Sequence, residues 1–279
     1  MHTLSIILVL ISAALHAGWN TVLKQQSDTS SSAIVLAFYA CLFALVAGFP
    51  NLSSALTPQA ILYTAGAGLF AGGALAAIGL AFRGGSLALT YTISRGGSIL
   101  LLWPISHYFL GEIVTAPALL GAVILTIALC GIMLRGKHEQ TNKHLWWAFV
   151  SALCVVGYHI FYKRALIEGV NHFALLGLSD ILRVIISFLL LDGNRWSRVV
   201  KASKENLRVH LFMALMSFLS FSTFLFALKT EGAAHLGTLR NLSVLFTAIG
   251  ASRIGEKITH TSAALIVLAM LGSILVGWK

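Results

Sequence analysis

An all-α integral membrane protein is the fold class this sequence predicts, and three observations carry it. Of the 279 residues, 58% are hydrophobic and only 10% charged, a balance that gives a water-soluble domain more apolar surface than it can cover. The apolar residues gather into ten stretches, roughly 4–23, 32–49, 59–82, 86–110, 115–134, 145–162, 172–191, 207–228, 233–251 and 260–278. About 20 apolar residues cross the hydrocarbon layer as a helix, because each peptide group then bonds within its own segment. The alternating stretches of about ten residues that mark a membrane β-barrel are absent.

The first stretch has only Met1, His2 and Thr3 before it and so lacks the basic leader of a signal peptide; it reads as the first helix. The second, 32–49, is short. The third carries Gly66, Gly68, Gly72 and Gly73, then Ala76 and Ala77, small residues that permit close helix contact and sliding. The fourth holds Arg95-Gly96-Gly97 and Trp103-Pro104. A proline there removes a backbone donor and can kink the helix, so Gly96, Gly97 and Pro104 are gating candidates, although ordinary membrane packing also explains the glycines. The seventh contains Asp180 and Arg183, and Phe212, Phe218, Phe221, Phe224 and Phe226 crowd the eighth, facing either lipid or a ring-lined cavity. Cys41, Cys130 and Cys154 fall within spans and imply neither a disulfide framework nor a metal cluster. No metal or cofactor is expected.

The formal charge of +10 does not point to nucleic acid, because it is spread over connections. Twelve basic residues, from Lys24 and Arg83 to Arg253 and Lys257, follow odd-numbered spans, against Lys163, Arg164, Lys229 and Lys279 on the other side. The positive-inside rule puts the richer side in the cytoplasm and both termini outside. The segment 192–208 contributes Arg195, Arg198, Lys201, Lys204 and Arg208 around Trp196, Val199 and Val200. It reads either as an amphipathic stretch on anionic headgroups, at about 1 kcal/mol per basic residue, or as a solvated connector.

Two similar halves, 1–139 and 140–279, are visible. Gly18-Trp19-Asn20 and Lys24 overlay Gly157-Tyr158-His159 and Lys163 at an offset of 139; Leu110-Gly111-Glu112 and Ile254-Gly255-Glu256 correspond at 144. Five spans per half, an odd number, make the second half enter the membrane upside down, an arrangement that recurs in alternating-access transporters.

With these features the chain resembles the drug/metabolite transporter superfamily, specifically its EamA-like ten-helix members. The segment Leu102-Trp103-Pro104-Ile105 through Leu110-Gly111-Glu112 and on to Gly121 carries the likeness, while its second copy has Ala248-Ile249 where the proline would fall. The resemblance implies a secondary transporter with both termini in the cytoplasm, opposite to the charge bias, so orientation stays open.

Ionisable side chains deep in apolar spans are functional candidates, because a charge there costs several kcal/mol without a wet cavity or a partner. Arg95 and Arg240 each precede a Gly-Glu turn by about 15 residues. Tyr91, Arg95 and Ser98 trace one helical face, and Arg240, Ser243 and Thr247 another. Two guanidiniums converging on a cavity suit a carboxylate or phosphate; alternatively each snorkels to an interface or pairs locally. His16, with Trp19 and Asn20 one turn on, either lines the cavity or bonds another helix, and Tyr158 is the counterpart of Trp19 in the second half. Asp180 and Arg183 are spaced as a same-face pair; Asp180 and His16 are the candidates for proton coupling. Glu112 and Glu256 read as structural carboxylates at helix N-termini.

No HExxH, P-loop or dinucleotide fingerprint occurs, so an enzyme is not expected; an intramembrane lipid-modifying enzyme is one alternative. A channel is the closer one, but no ion filter is evident. The expectation is a secondary active transporter for a small organic anion or zwitterionic metabolite, working by exchange or proton coupling. Its partners would be that metabolite and membrane lipid, and it would be a monomer or homodimer in a bacterial cytoplasmic membrane.

Overall fold

The structure is a computed structural model that describes residues 3–276 apart from 112, 114, 140 and 141, and without the side chains of 133–139 and 142. Glu112 therefore lies outside the described residues. The described chain is helical, with no strand: α1 (Thr3–Lys24), α2 (Thr29–Gly48), a 3₁₀ segment (Phe49–Ala55), α3 (Pro58–Phe82), α4 (Leu87–Leu110), α5 (Ala116–Glu139), α6 (Asn142–Ile167), α7 (His172–Leu189), α8 (Arg195–Glu205), α9 (Leu207–Leu228), α10 (Ala233–Arg240), α11 (Ser243–Arg253) and α12 (His260–Val276).

Six of these segments, corresponding to α1, α2 with the 3₁₀ turn, α3, α6, α7 and α9, are long and apolar enough to cross a membrane. Shorter apolar helices cover Ala116–Ile132 and His260–Val276. The bundle keeps large apolar side chains on its outside, among them Leu4, Phe38, Val46, Leu69, Leu120 and Phe212, as a lipid-facing surface requires. This supports an integral multi-pass membrane protein. The helix count does not reproduce ten continuous spans.

One difference lies in the ninth stretch. Expected as one helix over 233–251, it is broken at Asn241–Leu242 into α10 and α11. Around the break the amides of Asn241, Leu242, Val244 and Leu245 bond three residues back, to Thr238, Leu239, Asn241 and Leu242. That is the 3₁₀ pattern which, inside a helix, marks a hinge or strain. Asn241 is a weak helix former whose side chain is taken up by Ser273 Oγ at 2.6 Å. Conversely α4 runs through Pro104 and stops only at Gly111, whose φ of 68° is the left-handed conformation that closes a helix.

The packing is set by which helices exchange neighbours. α3 lies on α6 as α1 lies on α9; α3 meets α7 as α9 meets α2; α4 meets α6 as α11 meets α1; α2 pairs with α7, and α5 with α12. Small residues allow these approaches. A Cβ on Gly68 would meet the Ser179 carbonyl and come within 2.8 Å of Leu182 Cβ, and one on Gly72 would lie 2.7 Å from Ile186 Cβ. α3 therefore sits tightly against α7. Lys24 at the end of α1 donates to the carbonyls of Phe82 and Gly85, both at 2.7 Å, beyond the last turn of α3. Lys163 of α6 does the same to Leu228 at 2.8 Å and Glu231 at 2.9 Å, at the end of α9. A cation suits these helix C-termini, where carbonyls lack intrahelical donors.

The basic segment 192–208 forms α8, capped by the Asn194 side chain on the Ser197 amide at 3.2 Å. Val199 and Val200 face α2 and α7 across an apolar groove of about 440 Å³, beside an exposed Trp196. An ion-pair cluster ties α8 to the bundle. Arg83 reaches Asp192 with two bonds, at 2.8 and 2.9 Å. Arg198 bonds Asp192 and grips Asp28 twice, both at 2.8 Å. Asp28 also caps α2 through Ser31.

Both carboxylates titrate below their ordinary range. Partial burial works against ionisation of Asp28, but the Ser31 and Arg198 hydrogen bonds outweigh it; the Arg83 and then the Arg198 hydrogen bonds hold Asp192 down. A depressed folded-state pKa gives stability that is present above the unfolded value of about 3.9 and lost as pH falls through the folded one. The melting temperature should therefore hold to about pH 5 and fall below about pH 4. Asp28→Ala, losing a helix cap and a partly buried pair, should cost ~1–2 kcal/mol. Asp192→Ala should cost under ~1 kcal/mol despite its more strongly held carboxylate, because that side chain is 63% exposed. Thermal unfolding of the two variants tests the order, which a costlier Asp192→Ala would reverse.

Candidate functional site

Two charged residues of the apolar spans, Arg95 and Arg240, meet on one side chain. His16 of α1 is buried, and its imidazole lies between two guanidiniums. Arg95 Nη2 of α4 contacts the ring at Nε2. Arg240 Nη2, from the end of α10, approaches Nδ1 at 3.2 Å, and Trp19 Nε1 donates to the same Nδ1 at 3.3 Å. One face of the ring environment is aromatic, with Trp19 edge-on at 4.8 Å and Phe221 at 5.6 Å between centroids.

Arg240 is the most enclosed of these groups, at 1% exposure. Its guanidinium lies 4.5 Å from the Phe221 ring centroid and 4.3 Å from that of Phe224. Nη2 also reaches Ser220 Oγ at 3.3 Å. Its Nε and Nη1 are buried and have no hydrogen-bond partner in the structure. Phe221 has a second cation 5.5 Å from its centroid, Arg183 of α7, which pairs with Asp180 at 3.1 Å. The cluster thus holds three guanidiniums, Arg95, Arg183 and Arg240, and one carboxylate, Asp180. The excess is two positive charges, 3 − 1, deep among apolar helices.

A cavity of about 50 Å³ opens beside His16 and Arg95, walled by Trp19, Asn20, Tyr91, Tyr158, Arg183 and Phe221 among others. That volume is above the roughly 10–15 Å³ that holds one water, so the cavity has room for a few water molecules. Ala71 and Ala74 of α3 and the hydroxyls of Ser94 and Ser151, 2.9 Å apart, complete its wall.

Of the other sequence candidates, Ser243 accepts from the Tyr91 hydroxyl at 2.9 Å and so braces the cavity from behind. Ser98 bonds its own helix at the Arg95 carbonyl, 2.8 Å away. Thr247 is buried with an unpartnered hydroxyl; neither it nor Ser98 is in the cavity wall. Gly96 packs on Leu129 and Gly97 on Ala152, fixing α4 between α5 and α6. Glu256 does not cap the helix that follows it. Its carboxylate accepts from Leu87 N at 2.8 Å and Ser86 Oγ at 2.9 Å, across the bundle at the first turn of α4, where free amides favour an anion. α4, the helix of Arg95, is thereby anchored from the α11–α12 connection.

The sequence reading missed Ser94, Ser151 and Ser220 and did not separate the phenylalanines. Phe221 and Phe224 are buried beneath Arg240, whereas Phe212 and Phe226 are exposed. Ser217 and Ser220, one turn apart and fully buried, were the signal for an inward face on α9. The residues paired at offset 139 have related settings: Trp19 and Tyr158 both wall the cavity. Asn20 donates to the His16 carbonyl at 2.7 Å, and His159 Nδ1 contacts the Val155 carbonyl at 2.7 Å, each four residues back. Among the described residues no group of three or more His, Cys, Asp or Glu could hold a metal ion.

Residues 142–278 match the model of the EamA-like transporter family. No curated protein matches the chain. Among solved structures, one described as "Crystal structure of protein" has a TM-score of 0.66 at 16% identity, over 99% of this chain and 96% of that one; it shows the fold alone. The family match and the long apolar helices support a transporter function in general.

Proposed function

We propose that the chain is a secondary active transporter for a small organic anion or zwitterion, with Arg95 and Arg240 contacting the anionic group. The observation that carries this reading is the meeting of two guanidiniums from separate halves on one buried imidazole, beside a cavity with an excess of positive charge. Each uncompensated guanidinium costs several kcal/mol in such surroundings. A bound oxyanion offsets that cost, and a guanidinium can bond two of its oxygens at once.

Alternating access by two inverted five-span halves, 1–139 and 140–279, accounts for the rest. Exchanged contacts between halves, the lysines at offset 139 on equivalent helix ends, and the helix broken beside Arg240 all favour it. Discontinuous helices at the midplane are a recurrent way for transporters to present polar groups to a substrate. In this reading α10 and α11 form the ninth span and α12 the tenth. Transport runs by exchange, or with a proton carried by His16 or by Asp180 once Arg183 lets it go.

Reconstitution into vesicles tests the proposal. Preloading with the transported anion should accelerate its uptake, with saturation, and both properties should fail in Arg95→Gln. Channel-like conductance that does not saturate would overturn the carrier reading.

A further inference from the structure

We infer that His16 is an internal competitor for the anion: its ring holds the place of a bridging oxyanion between Arg95 and Arg240, and the substrate takes that place by turning the ring out. The inference rests on the proposed anion site and narrows its ligand to a doubly charged oxyanion.

The hydrogen-bonding capacity of imidazole carries the argument. Three N–H donors converge on this ring: Arg95 Nη2 on Nε2, and Arg240 Nη2 and Trp19 Nε1 on Nδ1. A neutral imidazole has one nitrogen that accepts and one that donates, and an imidazolium has none that accepts. In either tautomer one ring N–H therefore points at a guanidinium donor. The ring is a poor occupant of this position, kept there by the aromatic contacts with Trp19 and Phe221. It is flanked by small residues on its own helix, Ala13 and Ala17. It also borders the cavity, and that is the space the displaced ring would take.

An oxyanion has what the imidazole lacks. The oxygens of a carboxylate or phosphate are spaced much like the two ring nitrogens, and all of them accept. Such a group would satisfy Arg95 and Arg240 together, and it would supply a partner for one of the orphaned Arg240 nitrogens, Nε or Nη1. The excess of two positive charges over the Asp180 carboxylate matches a dianion, a phosphate monoester or a dicarboxylate, better than a singly charged group. The charged and titratable neighbours are Arg95, Arg183, Arg240, Asp180, Tyr91, Tyr158 and His159; Asp180, the one carboxylate among them, is already paired.

Competition has a signature opposite to that of a ligand. If the ring leaves the position about a tenth of the time, it weakens apparent affinity about tenfold, and removing it restores that factor. The experiment is thermal unfolding of the full chain in detergent, titrated separately with inorganic phosphate and with succinate. The proteins are wild type, His16→Ala, His16→Leu and Arg240→Gln. The expected result is stabilisation of wild type by at least one of the two anions, half-maximal at about tenfold lower concentration in His16→Ala. Arg240→Gln should show no response. His16→Leu keeps the volume of the side chain without a polar atom and gives the same reading if the alanine variant does not fold.

If the His16 variants need more anion than wild type, the imidazole is a ligand and the competitor inference falls, while the anion site stands on Arg240→Gln. If neither anion stabilises any of the proteins, both fall. The phosphate and succinate titrations separate the two chemistries: preference for phosphate assigns a phosphate ester, preference for succinate a dicarboxylate.

Discussion

Arg240→Met is expected to make the ligand-free protein more stable and at the same time to weaken its response to anions sharply. The guanidinium is 1% exposed, faces no carboxylate, and leaves Nε and Nη1 without partners. Its compensation is the Ser220 hydroxyl at 3.3 Å and the rings of Phe221 and Phe224, worth about 0.5–2 kcal/mol per ring. The cost of keeping a guanidinium out of water is several kcal/mol, so desolvation wins. Methionine fills a similar volume and packs well against aromatic rings. A gain of ~1–4 kcal/mol follows, the range seen when buried ions are replaced by apolar residues. Losing the charged hydrogen bonds should weaken anion binding by ~1.5–3 kcal/mol, or about 10–100-fold. Thermal unfolding with and without anion reads both. A methionine variant less stable than wild type and still responsive would remove Arg240 from the site.

Asp180→Ala should act in the opposite direction on both quantities. The Asp180 and Arg183 side chains are 1% and 5% exposed and bonded at 3.1 Å. Removing the carboxylate strands a buried guanidinium, at a cost of ~3–5 kcal/mol. It also raises the positive excess of the cluster from two to three, which should strengthen anion binding. Adding Arg183→Met to the same chain should recover most of the lost stability, because the guanidinium stranded by the loss of Asp180 is then gone as well. A loss below about 1 kcal/mol for Asp180→Ala would mean that the pair is solvated, and the charge excess that supports the anion site would lose its force.

These two predictions rest on residues whose importance was legible in different degrees. Arg95, Arg240, Asp180 and Arg183 stand out in sequence because the surrounding residues are apolar, and a charge in such company demands an explanation. That Asp180 and Arg183 bond each other was also legible, since three residues along a helix bring side chains to one face. The meeting of Arg95 and Arg240 on His16 was not. It joins positions 79 and 224 residues from His16, and it depends on how α1, α4 and α10 are rotated about their own axes.

The same distinction explains the corrections. Proline is a local rule, and it marks Pro104 as a place where α4 can kink; the helix runs through it, whereas the break at Asn241, where Ser273 of another helix takes up the side chain, has no such local mark. Glu256 was correctly placed beside a helix N-terminus, but the helix is α4 and not the next one in the chain. Phe221 and Phe212 lie on one helix with one buried and one exposed, a division that residue type cannot make.

By itself the sequence determined the solvent and the helical character of this protein: backbone hydrogen bonds in hydrocarbon must be satisfied within contiguous apolar segments, and such segments can be counted along the chain. It also marked which side chains lie at depth and cannot be left uncompensated. Only the tertiary structure decided which of them share a site. Lipid is as apolar as the helix surfaces, so neighbour choice and rotation follow from the fit of small residues and side-chain shapes between helices. That fit is non-local, and it is what brings Arg95 and Arg240 onto one imidazole, beside a cavity that Arg95 and Arg183 line.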